Sequence, residues 1–189
     1  MARKLFHGFT LIELLVVISI ISLLSAIGVA SLNSTRKKAR YTAVAAELKQ
    51  FETALNLLSD DRGGCWPREG ATTCGGYVEN NPTITTLIAD GSFGLKQYVS
   101  APPSWPFDSN VWKYDNDGDT APTPCASFGT SGVNAFIEST DIEHYKQLNT
   151  LLDGDTDPTT DTARACGKIK FSTTTTPGMI LYTISATAN

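Results

Sequence analysis

Apolar residues crowd the first third of the chain and then thin into a periodic pattern. From Leu14 to Leu32 there is no charge and no proline. At about 1.5 Å per residue, Phe9 to Leu32 spans roughly 36 Å as a helix, enough to cross the hydrocarbon core of a bilayer. Beyond that run, Tyr41, Val44, Leu48, Phe51, Leu55 and Leu58 recur at three- and four-residue spacing, with Glu47, Lys49, Gln50 and Glu52 on other faces. No proline occurs from Met1 to Trp66, and Gly63-Gly64 supplies a stop. The spacing predicts one helix from Phe9 to about Ser59. Its first half (9–32) is apolar all round, as lipid or a filament core requires. Its second half (33–59) is one-sided, as packing against a sheet requires.

Residues 60–189 read as one modest globular domain. A loop rich in Gly, Cys, Pro and Asn covers Asp60 to Pro82. Thr85 to Asp90 suggests a short helical turn. Alternation predicts strands at Val111–Tyr114, Val133–Glu138, Lys168–Ser172 and Met179–Ser185. Ile142, Tyr145, Leu148, Leu151 and Leu152 predict a short helix between strands. The fold class is therefore α+β, with an antiparallel sheet of three or four strands laid on the amphipathic half of the long helix.

One acidic residue, Glu13, interrupts the apolar run. A carboxylate at the centre of a membrane segment costs about 2.5–3.5 kcal/mol on insertion scales and less near its end. Three readings compete for it. Thr10-x-x-Glu13 fits a capping box, which would set Glu13 near the headgroups. An ordinary secretory signal, with Gly28-Val29-Ala30 before its cleavage site, is the second, although this apolar run exceeds the usual h-region of roughly 7–15 residues. The third rests on resemblance. Gly8-Phe9-Thr10-Leu11-Ile12-Glu13-Leu14-Leu15-Val16-Val17, after the short basic leader Met1-Ala2-Arg3-Lys4, resembles the class III signal of type IV pilins and type II secretion pseudopilins.

That resemblance closely covers about Met1 to Leu32 and implies a pilin fold, with residues 1–8 as a prepilin leader. It implies that a prepilin peptidase cuts between Gly8 and Phe9 and methylates the amine of Phe9. It also implies pairing of the Glu13 carboxylate with the Phe9 amine of a neighbouring subunit. The implied partners are identical subunits in a helical filament, an inner-membrane platform protein and an assembly ATPase. The implied location is the cytoplasmic membrane as a single-pass precursor, then an extracellular pilus. Gly91 to Asp108 is similar to the family's stretch leading to a proline and an aspartate, here Pro106-Phe107-Asp108. Many members carry a helix-breaking proline in the apolar half; this chain has none, and Gly28 is its one weak point. Ser19, Ser22 and Ser25 either bridge to neighbouring helices or bond their own backbone a turn earlier.

Charge and cysteines extend this picture. Of 19 acidic and 15 basic residues, only Glu13 and six cations precede residue 41, which leaves the domain near −9. Such a surface argues against binding nucleic acid through phosphates. Cys65, Cys74, Cys125 and Cys166 form no C-x-x-C, so a zinc or thioredoxin-like site fits poorly. An even count beyond an export signal suggests two disulfides, with three connectivities possible. Cys65–Cys74 with Cys125–Cys166 is favoured, and reduced buried cysteines are the alternative. Arg36, Lys37, Lys38 and Arg40 follow the membrane segment, against Arg3 and Lys4 before it. The positive-inside rule alone would put the C-terminal side in the cytoplasm. The family has the opposite topology, and the cysteines agree with it.

Two acidic runs invite a cation. Asp115, Asp117 and Asp119 alternate beside Gly118, and Asp153, Asp155 and Asp157 lie near Asp161; hard oxygen ligands in that spacing suit calcium. Neither is a full EF-hand loop, and both are also good turn sequences. Some pseudopilins hold calcium in a C-terminal loop, which the resemblance lends to these runs. The only histidines are His7, in the leader, and His144, expected on a surface helix. No Ser-His-Asp set, nucleophile elbow or phosphate loop appears, so an enzyme is not expected. The function expected is a structural pilus subunit, for adhesion, motility or DNA uptake. A secretion pseudopilin is the alternative, and a membrane-anchored calcium-binding or adhesive domain that never polymerises is the reading from a different class.

Overall fold

A computed structural model describes residues 8–69, 79–116, 132–154, 163–164, 167–173 and 178–185. The chain divides into two compact units, Met1–Ala39 and Arg40–Asn189. Helix α1 runs Leu11–Asp61 through both. Its start is a capping box. The Glu13 carboxylate accepts from the amide of Thr10 at 2.8 Å and from its hydroxyl at 2.7 Å, while the Glu13 amide donates to Thr10 Oγ1 at 3.3 Å. In the first unit the apolar side chains whose burial is described are exposed all round, from Phe9 to Leu32. Ser19 and Ser22 donate to the carbonyls of Leu15 and Ile18 at 2.8 and 2.7 Å, so both hydroxyls bond their own helix.

The other end of α1 stops as the sequence predicts. Gly63 and Gly64 have φ of +71° and +93°, a region that side chains with a Cβ rarely enter. The Gly64 amide donates to the carbonyl of Ser59 at 2.8 Å and the Gly63 amide to that of Asp60 at 3.2 Å. That pair of bonds is a Schellman motif and satisfies carbonyls the helix leaves open.

In the second unit the stripe Tyr41, Val44, Leu48, Phe51, Leu55 and Leu58 is buried throughout. It packs in one core with residues of a five-stranded antiparallel sheet. The strands are β1 Lys113–Asp115, β2 Val133–Glu138, β3 Ala163–Arg164, β4 Ile169–Ser172 and β5 Met179–Ser185, in the order β1-β2-β5-β4-β3. Val133, Ala135 and Ile137 of β2 and Ile180, Tyr182 and Ile184 of β5 alternate toward that core, while Asn134 and Phe136 of β2 and Leu181 of β5 are buried on the other face. The described residues of the unit also include two short α-helices, α2 Ile84–Ala89 and α3 Ile142–Leu152, and a 3-10 turn at Leu95–Gln97. Thr83 caps α2 by accepting from the Thr86 amide, and Asp141 caps α3 by accepting from the Glu143 amide. Tyr145 of α3 stacks on Phe171 of β4 at 5.4 Å between ring centroids.

Three details differ from the sequence reading. The fifth strand, β3, is two residues long and carries no alternation to read. β1 begins at Lys113 rather than Val111, and just before it the Trp112 carbonyl accepts from the Ile84 amide at the start of α2 at 2.9 Å. His144 is not a surface residue. It is only 9% exposed, its Nδ1 lies 2.9 Å from the Tyr41 hydroxyl, and Trp105 and Phe107 pack against its ring.

Burial holds three tyrosines in their neutral form. The Tyr41 phenol is pushed up to about 12, first by burial and then by the charges of Asp141 and Glu143. Burial also raises Tyr114 and Tyr182 above the ordinary value, with a hydrogen bond to Glu52 adding to the effect at Tyr182. The folded chain therefore keeps protons that the unfolded chain releases near pH 10. Stability is expected to be level up to about pH 10 and to fall as pH rises toward 12. Urea midpoints of segment 40–189 from pH 8 to 12 check this. Tyr41→Phe should make the alkaline slope shallower, with Tyr114 and Tyr182 supplying what remains, and a slope already flat in the parent segment rejects the assignment.

Candidate functional site

The first six described residues combine the features the sequence singles out. Gly8 precedes the helix, and a Cβ built on it would meet nothing within 4 Å. Packing in the chain thus gives no reason for glycine there. Phe9 is 88% exposed. Thr10 and Glu13 close the capping box, which fixes the Glu13 carboxylate against the amide that directly follows Phe9. The structure therefore brings Gly8, Phe9 and Glu13 to one place, with Glu13 already engaged by its own chain. The apolar helix that follows is long enough to cross a membrane, and none of its most apolar window is buried.

The remaining candidates are placed only in part. Cys65 is disulfide-bonded; Cys74, Cys125 and Cys166 lie outside the described residues. Asp115 is buried in β1, where its carboxylate accepts from Asn134 Nδ2 at 3.2 Å. Asp153 follows α3, and its two oxygens accept from the amides of Lys168 and Ile169 at 2.9 and 3.0 Å. That grip joins the end of α3 to the start of β4. Gly167 supports it, since φ there is +82° and a Cβ would collide with the Asp153 carboxylate. Asp117, Asp119, Asp155, Asp157 and Asp161 lie outside the described residues. No group of three or more His, Cys, Asp or Glu side chains able to hold a metal ion occurs among the described residues.

Sequence reasoning missed two carboxylates on α1 that tie the helix to the rest of its unit. Glu47 accepts from the amide and hydroxyl of Ser104, each at 2.6 Å. Glu52 accepts from Tyr182 of β5 through one oxygen and pairs with Lys168 through the other. A signal for Glu52 was present. It stands four residues after Leu48 and therefore lies on the buried stripe rather than off it. A charge on that stripe needs buried partners.

The sequence model of the prokaryotic N-terminal methylation motif matches residues 3–29. The chain is similar to the Escherichia coli (strain K12) protein named prepilin peptidase-dependent protein D, 39% identical over 95 residues, 50% of this chain and 55% of that protein. It is also similar to the type IV wide pilus major component PilA4 of Thermus thermophilus, 33% identical over 85 residues, 45% of this chain and 65% of that one. The match therefore spans between about half and two thirds of these curated relatives. No solved structure is a significant match. The motif, the relatives and the long helix joined to an antiparallel sheet all support the type IV pilin and pseudopilin family.

Proposed function

We propose that this chain is a structural subunit that is cut after Gly8, methylated at Phe9 and polymerised through α1 into a surface pilus. The observation that carries the proposal is the start of α1. A capped carboxylate, inside the matched methylation motif, leads into an apolar helix exposed on every described side. Such a surface is unstable in water and needs either lipid or other apolar helices. Lipid supplies this before assembly, and identical neighbours supply it afterwards. The unconstrained Gly8 suits recognition from outside the chain, by a prepilin peptidase in the membrane. The platform protein and the assembly ATPase would act from the cytoplasmic side.

The disulfide at Cys65 supports export of the second unit, since disulfides persist in oxidising compartments. The burial of His144 supports a structural role over a catalytic one, because its ring is committed to Tyr41 and to aromatic neighbours.

Mass spectrometry of the mature N-terminus, with electron microscopy of sheared surface material, tests the proposal. A methylated Phe9 and fibres containing this chain are expected. An intact Met1 on isolated monomers would sink it and leave the simple membrane anchor. A methylated Phe9 with only short periplasmic assemblies would move the chain to the pseudopilins.

A further inference from the structure

Among the described residues of the first unit, Arg36, Lys37 and Lys38 form a strongly charged feature that filament assembly does not explain. All three are exposed on α1, one turn or more beyond Leu32. Along the chain no acidic residue falls between Glu13 and Glu47, so this stretch of helix is purely cationic. In the orientation proposed above it lies outside the cell's inner membrane, against the usual positive-inside bias. Exposed cations at that height face the lipid phosphates of the outward leaflet.

Helical geometry says which ligand. Consecutive residues turn by about 100°, so Arg36, Lys37 and Lys38 point to three different sides of α1 and form a collar. A docked protein takes one face of a helix, whereas lipid surrounds it. The axial position agrees. The span from Phe9 to Leu32 is roughly 36 Å against a hydrocarbon core of about 30 Å, so Leu32 reaches the headgroup layer. Arg36 lies about 6 Å further along and Lys38 about 9 Å. Helical side chains tilt toward the N-terminus, and long cationic ones snorkel, so the charges lean back toward the phosphates.

We infer that Arg36, Lys37 and Lys38 form a collar that binds anionic phospholipid headgroups in the outward leaflet and sets the depth of the waiting subunit. The inference rests on the membrane-spanning reading of Phe9–Leu32 but not on polymerisation. Its ligand is the phosphate of an acidic lipid such as phosphatidylglycerol. Leaving the membrane for a filament then requires the collar to release that lipid.

The test is the full chain reconstituted in phosphatidylcholine vesicles with trace spin-labelled phosphatidylglycerol or spin-labelled phosphatidylcholine. Electron paramagnetic resonance reads the motionally restricted lipid. Phosphatidylglycerol is expected to be preferred by at least about threefold at low salt, given the attraction of each cation to an anionic surface. The preference should shrink toward parity in 1 M salt, where the screening length is about 3 Å. R36Q/K37Q/K38Q should cut it by at least half, leaving only what Arg3, Lys4 and Arg40 supply, and R36K, which keeps the charge, should retain it. Restricted lipid without headgroup preference would overturn the collar alone. A preference that the triple substitution leaves undiminished would overturn it too. The absence of any restricted lipid would overturn the membrane span and the collar together.

Discussion

Glu13→Gln is expected to leave processing intact and to reduce surface filaments at least about tenfold. Glutamine can still reach back to the Thr10 amide, because capping boxes accept Glu or Gln at that position. The helix start seen at Thr10 and Glu13 should therefore survive. What glutamine removes is the charge, and with it any pairing with a neighbour's Phe9 amine. In a dry interface an ammonium left without its carboxylate is strongly disfavoured, and about 1.4 kcal/mol per contact already gives the tenfold loss. Glu13→Ala is the control, since it loses cap and charge together, with about 0.5–2 kcal/mol from the cap. Cells carrying each variant, scored by mass spectrometry and by counts of sheared fibres, separate the two roles. Should Glu13→Gln assemble like the parent while Glu13→Ala fails, the carboxylate is a helix cap and nothing more.

Phe51→Ala should cost the second unit about 3–5 kcal/mol, the range for large aromatic deletions in a core. Phe51 is fully buried at the centre of the stripe that α1 turns toward the sheet. In segment 40–189 that loss corresponds to a fall in Tm of roughly 10 °C or more. Leu57 makes the comparison sharp. It lies six residues later on the same helix, on another face, and is 49% exposed, so Leu57→Ala should stay within about 0.5 kcal/mol. Thermal melts of both variants decide the matter. Equal losses would mean that α1 is rotated from the orientation described here.

Much of this architecture is written in local patterns. The stripe from Tyr41 to Leu58 has a helical period, its six members are all buried, and the paired glycines close the helix as their conformational freedom allows. Strands β2 and β5 are legible because their alternation is long enough to count. β3 is not, because two residues carry no period. The capping box is legible because its partners are three residues apart. The bonds from Glu52 to Tyr182 and Lys168 join residues more than a hundred positions apart, and no local rule reports them. His144 was misplaced for the same reason. Its neighbours Tyr41, Trp105 and Phe107 come from two other parts of the chain, and only the fold assembles them. Acidic turns and cation loops share a composition, so the run at Asp153 reads either way. The fold adds that the Asp153 oxygens hold two backbone amides, from residues more than a dozen positions away.

The closed ring at the beginning of α1 bears on how a fibre would grow and shrink. A subunit whose acid is already satisfied at home can be stockpiled in the bilayer without sticking prematurely to its kin. Joining a polymer through Phe9 would then ask that acid to loosen its hold on Thr10 first. Each addition would open the ring, and each departure would let it shut again.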